Sequence, residues 1–234
     1  MIRSLLFNIF YISWTLLVGV IFWPVVFLPT AIIILVVGKV WAKGLYFFLR
    51  IFCNLKLDLK GAKNIDTQPA IYASKHQSAL ETFMYHLLLK KPVFVLKKEL
   101  LNIPIFGYYL KKMGMIAIDR DGGMKSLKKL LKEVEIKISQ GYSIIIFPEG
   151  TRTDPYETIE YNPGIAAIYN LKAAKVIPVA LNTGYFWPKN SFLKKSGKFT
   201  IEFLPALSND LNRKEFMKEL HEQIESKSKD LLNL

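Results

Sequence analysis

The sequence predicts an α/β domain, a mostly parallel or mixed sheet flanked by helices, preceded by an N-terminal membrane-embedded helical hairpin. Two observations carry this. From residue 55 onward, short apolar runs of strand length alternate with segments of helical spacing, the pattern of strand–helix–strand units. Before that point, residues 4–38 contain no Asp, Glu, Lys, Arg or His, and an uncharged run of that length reads as membrane-embedded. A chain of 234 residues holds one sizeable core rather than two full domains. The expected division is a membrane-embedded or interfacial segment over residues 1–54 and the α/β domain over residues 55–234.

As one continuous helix the uncharged run would reach about 52 Å, more than the ~30 Å of a hydrocarbon core and less than two spans plus a turn. Pro24 and Pro29 fall inside it, where proline breaks or kinks a helix. Arg3 flanks one end and Lys39, Lys43 and Arg50 the other. Positive flanks prefer the cytoplasmic side. Two short helices joined near "WPVVFLPT" and dipping into one leaflet therefore fit better than a single crossing. They would hold the protein on the cytoplasmic face of the inner membrane. The run is too long for a cleaved signal peptide, and no small-x-small site closes it.

"LKLDLKG" opens the domain as an alternating strand. "PAIYAS", "PVFVL", "MIAI", "SIIIF", "KVIPVAL" and "KFTIEFL" follow as further strands. Over 124–140, Leu127, Leu130, Leu131, Val134 and Ile138 keep helical spacing with Lys and Glu on the other face, which predicts an amphipathic helix. Phe216, Leu220 and Ile224 mark another near the C-terminus. Sheets of this kind place their sites at strand C-terminal ends. His76 follows "AIYAS", Arg120 follows "MIAI" and Glu149 follows "SIIIF", so three candidate residues occupy equivalent positions.

The formal net charge is +13, of which the first 57 residues supply +5 and the remainder +8. Beside an apolar segment, this excess suits an anionic membrane surface rather than nucleic acid. A solvated lysine-rich face accounts for much of it. Cys53 is the only cysteine, which excludes an intramolecular disulfide and a cysteine zinc cluster. His86 and His221 lie in helical patterns and read as structural. No H-E-x-x-H, P-loop or dinucleotide fingerprint occurs, and no metal is implied.

The stretch "YASKHQSALETF" carries the functional question. Ser78-Ala79-Leu80-Glu81 matches a capping box, in which Glu81 reaches back to a helix-start amide. The same geometry allows a dyad. With the helix starting near Ser78, His76 lies in the incoming loop and can fold over the first turn, where the Glu81 carboxylate would accept from one imidazole nitrogen. The other nitrogen could then take a proton from a substrate hydroxyl. The two readings are compatible. Ser78 has no G-x-S-x-G elbow around it, which disfavours Ser78 as a nucleophile. Backbone amides at 76–80 are candidates for holding an oxyanion.

"SKHQSALE", "KKELLNIPIFG", "GMIAIDR", "FPEGTR" and "VIPVAL" occur in this order. Over roughly residues 55–210 the chain resembles the glycerolipid acyltransferases, in particular the bacterial 1-acylglycerol-3-phosphate acyltransferases. The resemblance implies a membrane-bound enzyme that moves a fatty acyl group from a thioester to the free hydroxyl of 1-acylglycerol 3-phosphate, making phosphatidate. Its co-substrate would be acyl-CoA or acyl carrier protein, and it would use no cofactor. The resemblance makes His76 the general base and Glu81 its orienting acid. Gly114 and Arg120 match the second block, whose arginine binds the glycerol phosphate. Glu149, Gly150 and Arg152 match the third, with Arg152 a further phosphate ligand. Pro178 matches a fourth block that shapes the acyl site, and Lys97 or Lys98 a further basic contact. The alternatives are the same chemistry on a lysophospholipid, glycerol 3-phosphate or a lyso-aminolipid, and a non-catalytic lipid-binding membrane protein. Two positions depart from the family: Glu81 stands where Asp is usual, and Lys75 where Asn is frequent. Lys75 would add a cation beside the base or bind an anionic head group.

Overall fold

The computed structural model describes residues 1–120 and 122–233. The chain opens with α1 (Ile2–Ile21) and breaks where the prolines predict, through a 3₁₀ turn at Trp23–Phe27. Helical structure resumes as α2 (Thr30–Ile33), passes through a π turn (Ile34–Gly38) and continues as α3 (Lys39–Cys53). The uncharged run thus holds one full apolar helix, not a clear pair. Its 20 residues give about 30 Å of rise, the thickness of a hydrocarbon core. Among the described residues it is the one helix long and apolar enough to cross a membrane. The second arm begins too late to be wholly apolar and runs on into Lys39, Lys43 and Arg50.

α1 and α3 pack through aromatic rings. Phe10 stacks on Phe48 at 4.4 Å and lies 5.0 Å from Phe52. Gly44 permits the closest approach, since a Cβ there would fall 2.2 Å from the Trp14 indole. The opposite side of α1 exposes Ile2, Leu5, Ile9, Ile12, Leu16 and Val20, an apolar stripe at helical spacing.

All seven expected strands form: β1 (Leu55–Lys60), β2 (Ile71–Ser74), β3 (Pro92–Lys97), β4 (Ile116–Ile118), β5 (Ser143–Ile146), β6 (Val176–Leu181) and β7 (Gly197–Phe203). They make one sheet in the order β1-β7-β6-β2-β5-β3-β4. From β6 to β4 the neighbours are parallel. β7 runs antiparallel to β6, and β1 parallel to β7. Every residue of β2 and β6 is buried, as expected for central strands covered on both faces. Pro178 sits in β6 just before the ladder to β7 begins at Val179.

The helices on the sheet are α4 (Leu80–Leu88), α5 (Phe106–Lys112), α6 (Gly123–Ser139), α7 (Gly164–Asn170), α8 (Thr183–Phe186) and α9 (Arg213–Asp230). α6 buries Leu130 and Val134, and α9 buries Phe216, Leu220 and Ile224, the faces their spacing predicts. Asn212 and Glu215 close a capping box at the start of α9. The membrane-side helices share this core. Phe7 of α1 is fully buried and meets Trp187 edge-on at 5.3 Å, and the Tyr109 hydroxyl donates to the Gly19 carbonyl.

Candidate active site

β2 ends at Ser74 and α4 begins at Leu80, so His76 lies in the connecting loop. Its Nδ1 is 2.8 Å from Glu81 Oε1. That same oxygen accepts from the amides of Gln77 (2.9 Å) and Ser78 (2.7 Å), while Oε2 accepts from the Thr183 hydroxyl (2.7 Å). Glu81 is wholly buried. An ionised carboxylate only accepts, so Nδ1 carries the proton and Nε2 keeps the lone pair. The imidazole stacks on Phe147 at 3.8 Å, with 14° between ring planes, which fixes its orientation. Cap and dyad are one arrangement. The box does not close, because Ser78 Oγ accepts from the Leu80 amide rather than that of Glu81. The amides of Gln77, Ser78 and Leu80 are therefore engaged and not free to hold an oxyanion.

His76 opens on a cavity of about 1210 Å³. Its polar part is lined by Lys97, Arg120, Arg152 and Asn162. Its apolar part is lined by Val18 and Gly19 of α1, Val37 of the π turn, and Leu110, Met113, Met115, Leu127 and Leu130 of the domain. One wall is a run of rings. From Phe147 it continues to Phe94 at 6.3 Å, His86 at 5.5 Å and Trp41 at 6.2 Å. Gly150 has φ +71°, and a Cβ there would lie 2.7 Å from Asn162 Nδ2 and 3.6 Å from the Arg120 guanidinium. The turns after β4 and β5 meet at this glycine, which brings Arg120 and Arg152 to one cavity. A mixed cavity of this kind, largely apolar with a few converging polar groups, is the usual form of a small-molecule site.

The acyltransferase family profile matches residues 56–182. A 1-acyl-sn-glycerol-3-phosphate acyltransferase of Pseudomonas aeruginosa is 31% identical over 186 residues, which span 80% of this chain and 72% of that protein. The chain belongs to the acyltransferase family. A chloroplastic 1-acyl-sn-glycerol-3-phosphate acyltransferase of Arabidopsis thaliana is 28% identical over 66% of this chain and 43% of its own length. The crystal structure of the 1-acyl-sn-glycerophosphate acyltransferase from Thermotoga maritima covers 100% of this chain and 98% of that one, with a TM-score of 0.81 and 18% identity. That likeness speaks for the fold.

Not every motif residue of this acyltransferase faces the cavity. Gly114, at φ +71°, makes the turn between α5 and β4, and its neighbours Met113 and Met115 supply the wall. Lys98 pairs with Asp119 at 2.6 Å. Pro178 is inside the sheet, and Glu149 points away from the cavity toward Lys75, 3.2 Å from its ammonium. Burial pushes Glu149 up to about 7, with the Lys75 charge opposing. Lys75 is itself buried and engaged, so it does not serve a head group.

Spacing gave no signal for other wall residues. Lys189 donates to the Arg152 carbonyl at 3.0 Å, and Arg213 and Asn162 join the cavity from distant segments. Burial lowers His86 to about 4 and keeps it neutral. Its Nδ1 abuts Gly38, where a Cβ would fall 2.9 Å away.

Proposed function

We propose that this acyltransferase moves a fatty acyl group from acyl-CoA or acyl carrier protein to the free hydroxyl of 1-acylglycerol 3-phosphate, forming phosphatidate. The observation that carries the reading is the His76–Glu81 pair at 2.8 Å, opening on a cavity with arginines on one part and an apolar wall on the other. His76 Nε2 takes the proton of the acceptor hydroxyl as its oxygen attacks the thioester carbonyl. The carbon–sulfur bond then breaks, and the imidazolium returns the proton to the leaving thiolate. Glu81 stabilises the imidazolium between these steps. No acyl-enzyme forms, since both substrates meet in one cavity. Arg120 and Arg152 hold the acceptor phosphate, for which the guanidinium fork is suited, and this anchoring sets the hydroxyl beside His76. The apolar part takes acyl chain.

The relatives named for 1-acylglycerol 3-phosphate support this acceptor. Residues 1–54 form the membrane-embedded or interfacial unit and residues 55–234 the acyltransferase domain. α1 enters the bilayer with its exposed apolar stripe toward lipid. The basic flanks rest on the anionic cytoplasmic surface.

An acceptor panel in liposomes tests the assignment. With acyl-CoA as donor, 1-acylglycerol 3-phosphate is expected to outpace a lysophospholipid whose phosphate is esterified, and glycerol 3-phosphate. Arg120→Ala and Arg152→Ala are each expected to raise the acceptor KM by about tenfold or more, as loss of a charge-assisted bond to phosphate implies. The thioester KM should change less. Equal use of the esterified acceptor, or equal effects on both KM values, contradicts the reading.

A further inference from the structure

Behind the catalytic loop lies a buried ionic cluster that joins it to the C-terminal helix. Lys75 immediately precedes His76, and its side chain runs inward instead of toward the cavity. The ammonium lies 2.8 Å from both carboxylate oxygens of Glu225 on α9, 3.2 Å from Glu149 and 3.2 Å from the Glu157 carbonyl. Glu225 also accepts from the Tyr161 hydroxyl at 2.7 Å and the Thr158 hydroxyl at 3.2 Å. Lys75, Glu149 and Glu225 are all buried. The peptide of His76 is clamped by the same turn. Its amide donates to Glu149 at 3.4 Å, and its carbonyl accepts from the Thr153 amide at 2.9 Å.

We propose that Glu225 is a positioning residue for His76, holding Lys75 and Glu149 so that the loop after β2 presents the imidazole to Glu81 and the cavity. Glu225 itself touches no substrate. The proposal rests on the reading of His76 as the base. A buried lysine persists only when paired, and here the partner comes from a helix 150 residues away in sequence. Without Glu225, Lys75 would keep Glu149 as its one charged partner, beside the Glu157 carbonyl, and would draw it from the His76 amide. A displacement of that kind, about 1 Å at the base, is enough to lower turnover by 10- to 100-fold.

Charge couples the members of the cluster, since the Glu225 carboxylate raises Glu149 while the Lys75 ammonium lowers it. The groups facing this cluster are Lys75 after β2, Tyr85 of α4, Glu149 after β5, Tyr161 before α7, and Glu225 with His221 on α9, where His221 packs on Tyr161 at 4.7 Å. Glu225→Gln removes one negative charge. Glu149 should then titrate lower, because the like-signed neighbour that raises it is gone.

The test is kcat and acceptor KM for the full-length protein, Glu225→Gln, Glu225→Asp and His76→Ala, with folding followed by circular dichroism. The proposal expects Glu225→Gln to lose about tenfold or more in kcat with acceptor KM unchanged. Glu225→Asp, which keeps the charge but shortens the reach, should fall between it and the parent. A folded Glu225→Gln with parental kcat overturns the proposal. If Glu225→Gln does not fold, Glu225→Asp decides: a several-fold loss of kcat at constant KM supports the role, and parental kcat overturns it. Near-normal turnover in His76→Ala would instead overturn the reading of the base, so the two failures are told apart.

Discussion

Glu81 serves both the helix start and the histidine with a single oxygen, and its extra methylene relative to Asp fits that double duty. It reaches back from the first turn of α4 to two amides and to His76 Nδ1. Glu81→Gln separates the roles. The amide oxygen can still cap, and the amide nitrogen can face Thr183, whose hydroxyl accepts as well as donates. The charge that stabilises imidazolium is lost. Turnover is expected to drop by about 10²-fold with little change in unfolding midpoint, and parental turnover would show a cap alone. Glu81→Asp keeps the charge and should be milder. At this scale the positions of His76, Arg120 and Glu149 after their strands were readable from the run of apolar segments, and Arg152 was singled out only by the ordered motif. The direction of their neighbours was not readable. In a tight turn adjacent side chains leave on opposite sides, and so Lys75 and Glu149 point into the protein while His76 and Gly150 face the cavity.

Period and punctuation made the strands, α6 and α9 readable as elements, since each buries one face or both. The second N-terminal arm was misjudged as part of an apolar hairpin. The break lies at Pro24 and Pro29 as expected, but the following helix draws its packing from aromatics beyond residue 38, which charge counting does not see. α1 is also more than an anchor. It supplies Val18 and Gly19 to the cavity and seats Phe7 on Trp187. Removing residues 1–38 is therefore expected to abolish most activity on bilayer-presented and on short-chain soluble acceptor alike. Undiminished transfer to the soluble acceptor would reduce this segment to an anchor.

For the molecule as a whole, the α/β class was legible but the strand order was not, because pairing β1 with β7 and β6 with β2 joins segments far apart in sequence. The cavity was equally hidden, being made where the N-terminal helices meet the sheet. Burial also sets the response of the whole fold to pH. Glu149, raised from 4.5 to about 7, favours the folded state at low pH, and that contribution is lost as pH rises through this window. His86, lowered from 6.5 to about 4, contributes above 6.5 and loses its contribution as pH falls. The two oppose each other between about 4.5 and 6.5. His86→Leu should leave Glu149 unopposed, so unfolding midpoints of the detergent-solubilised variant should fall with rising pH more steeply than those of the parent. An unchanged slope would contradict this.

The central claim is that the imidazole paired with Glu81 performs acyl transfer within the cavity. Its most direct test is the rate of phosphatidate formation from acyl-CoA and 1-acylglycerol 3-phosphate in liposomes, for the purified protein and for His76→Ala. Loss of a general base from a loop should lower turnover by about 10²–10⁴-fold, with the fold intact by circular dichroism. A folded His76→Ala that turns over at a near-parental rate would contradict the account.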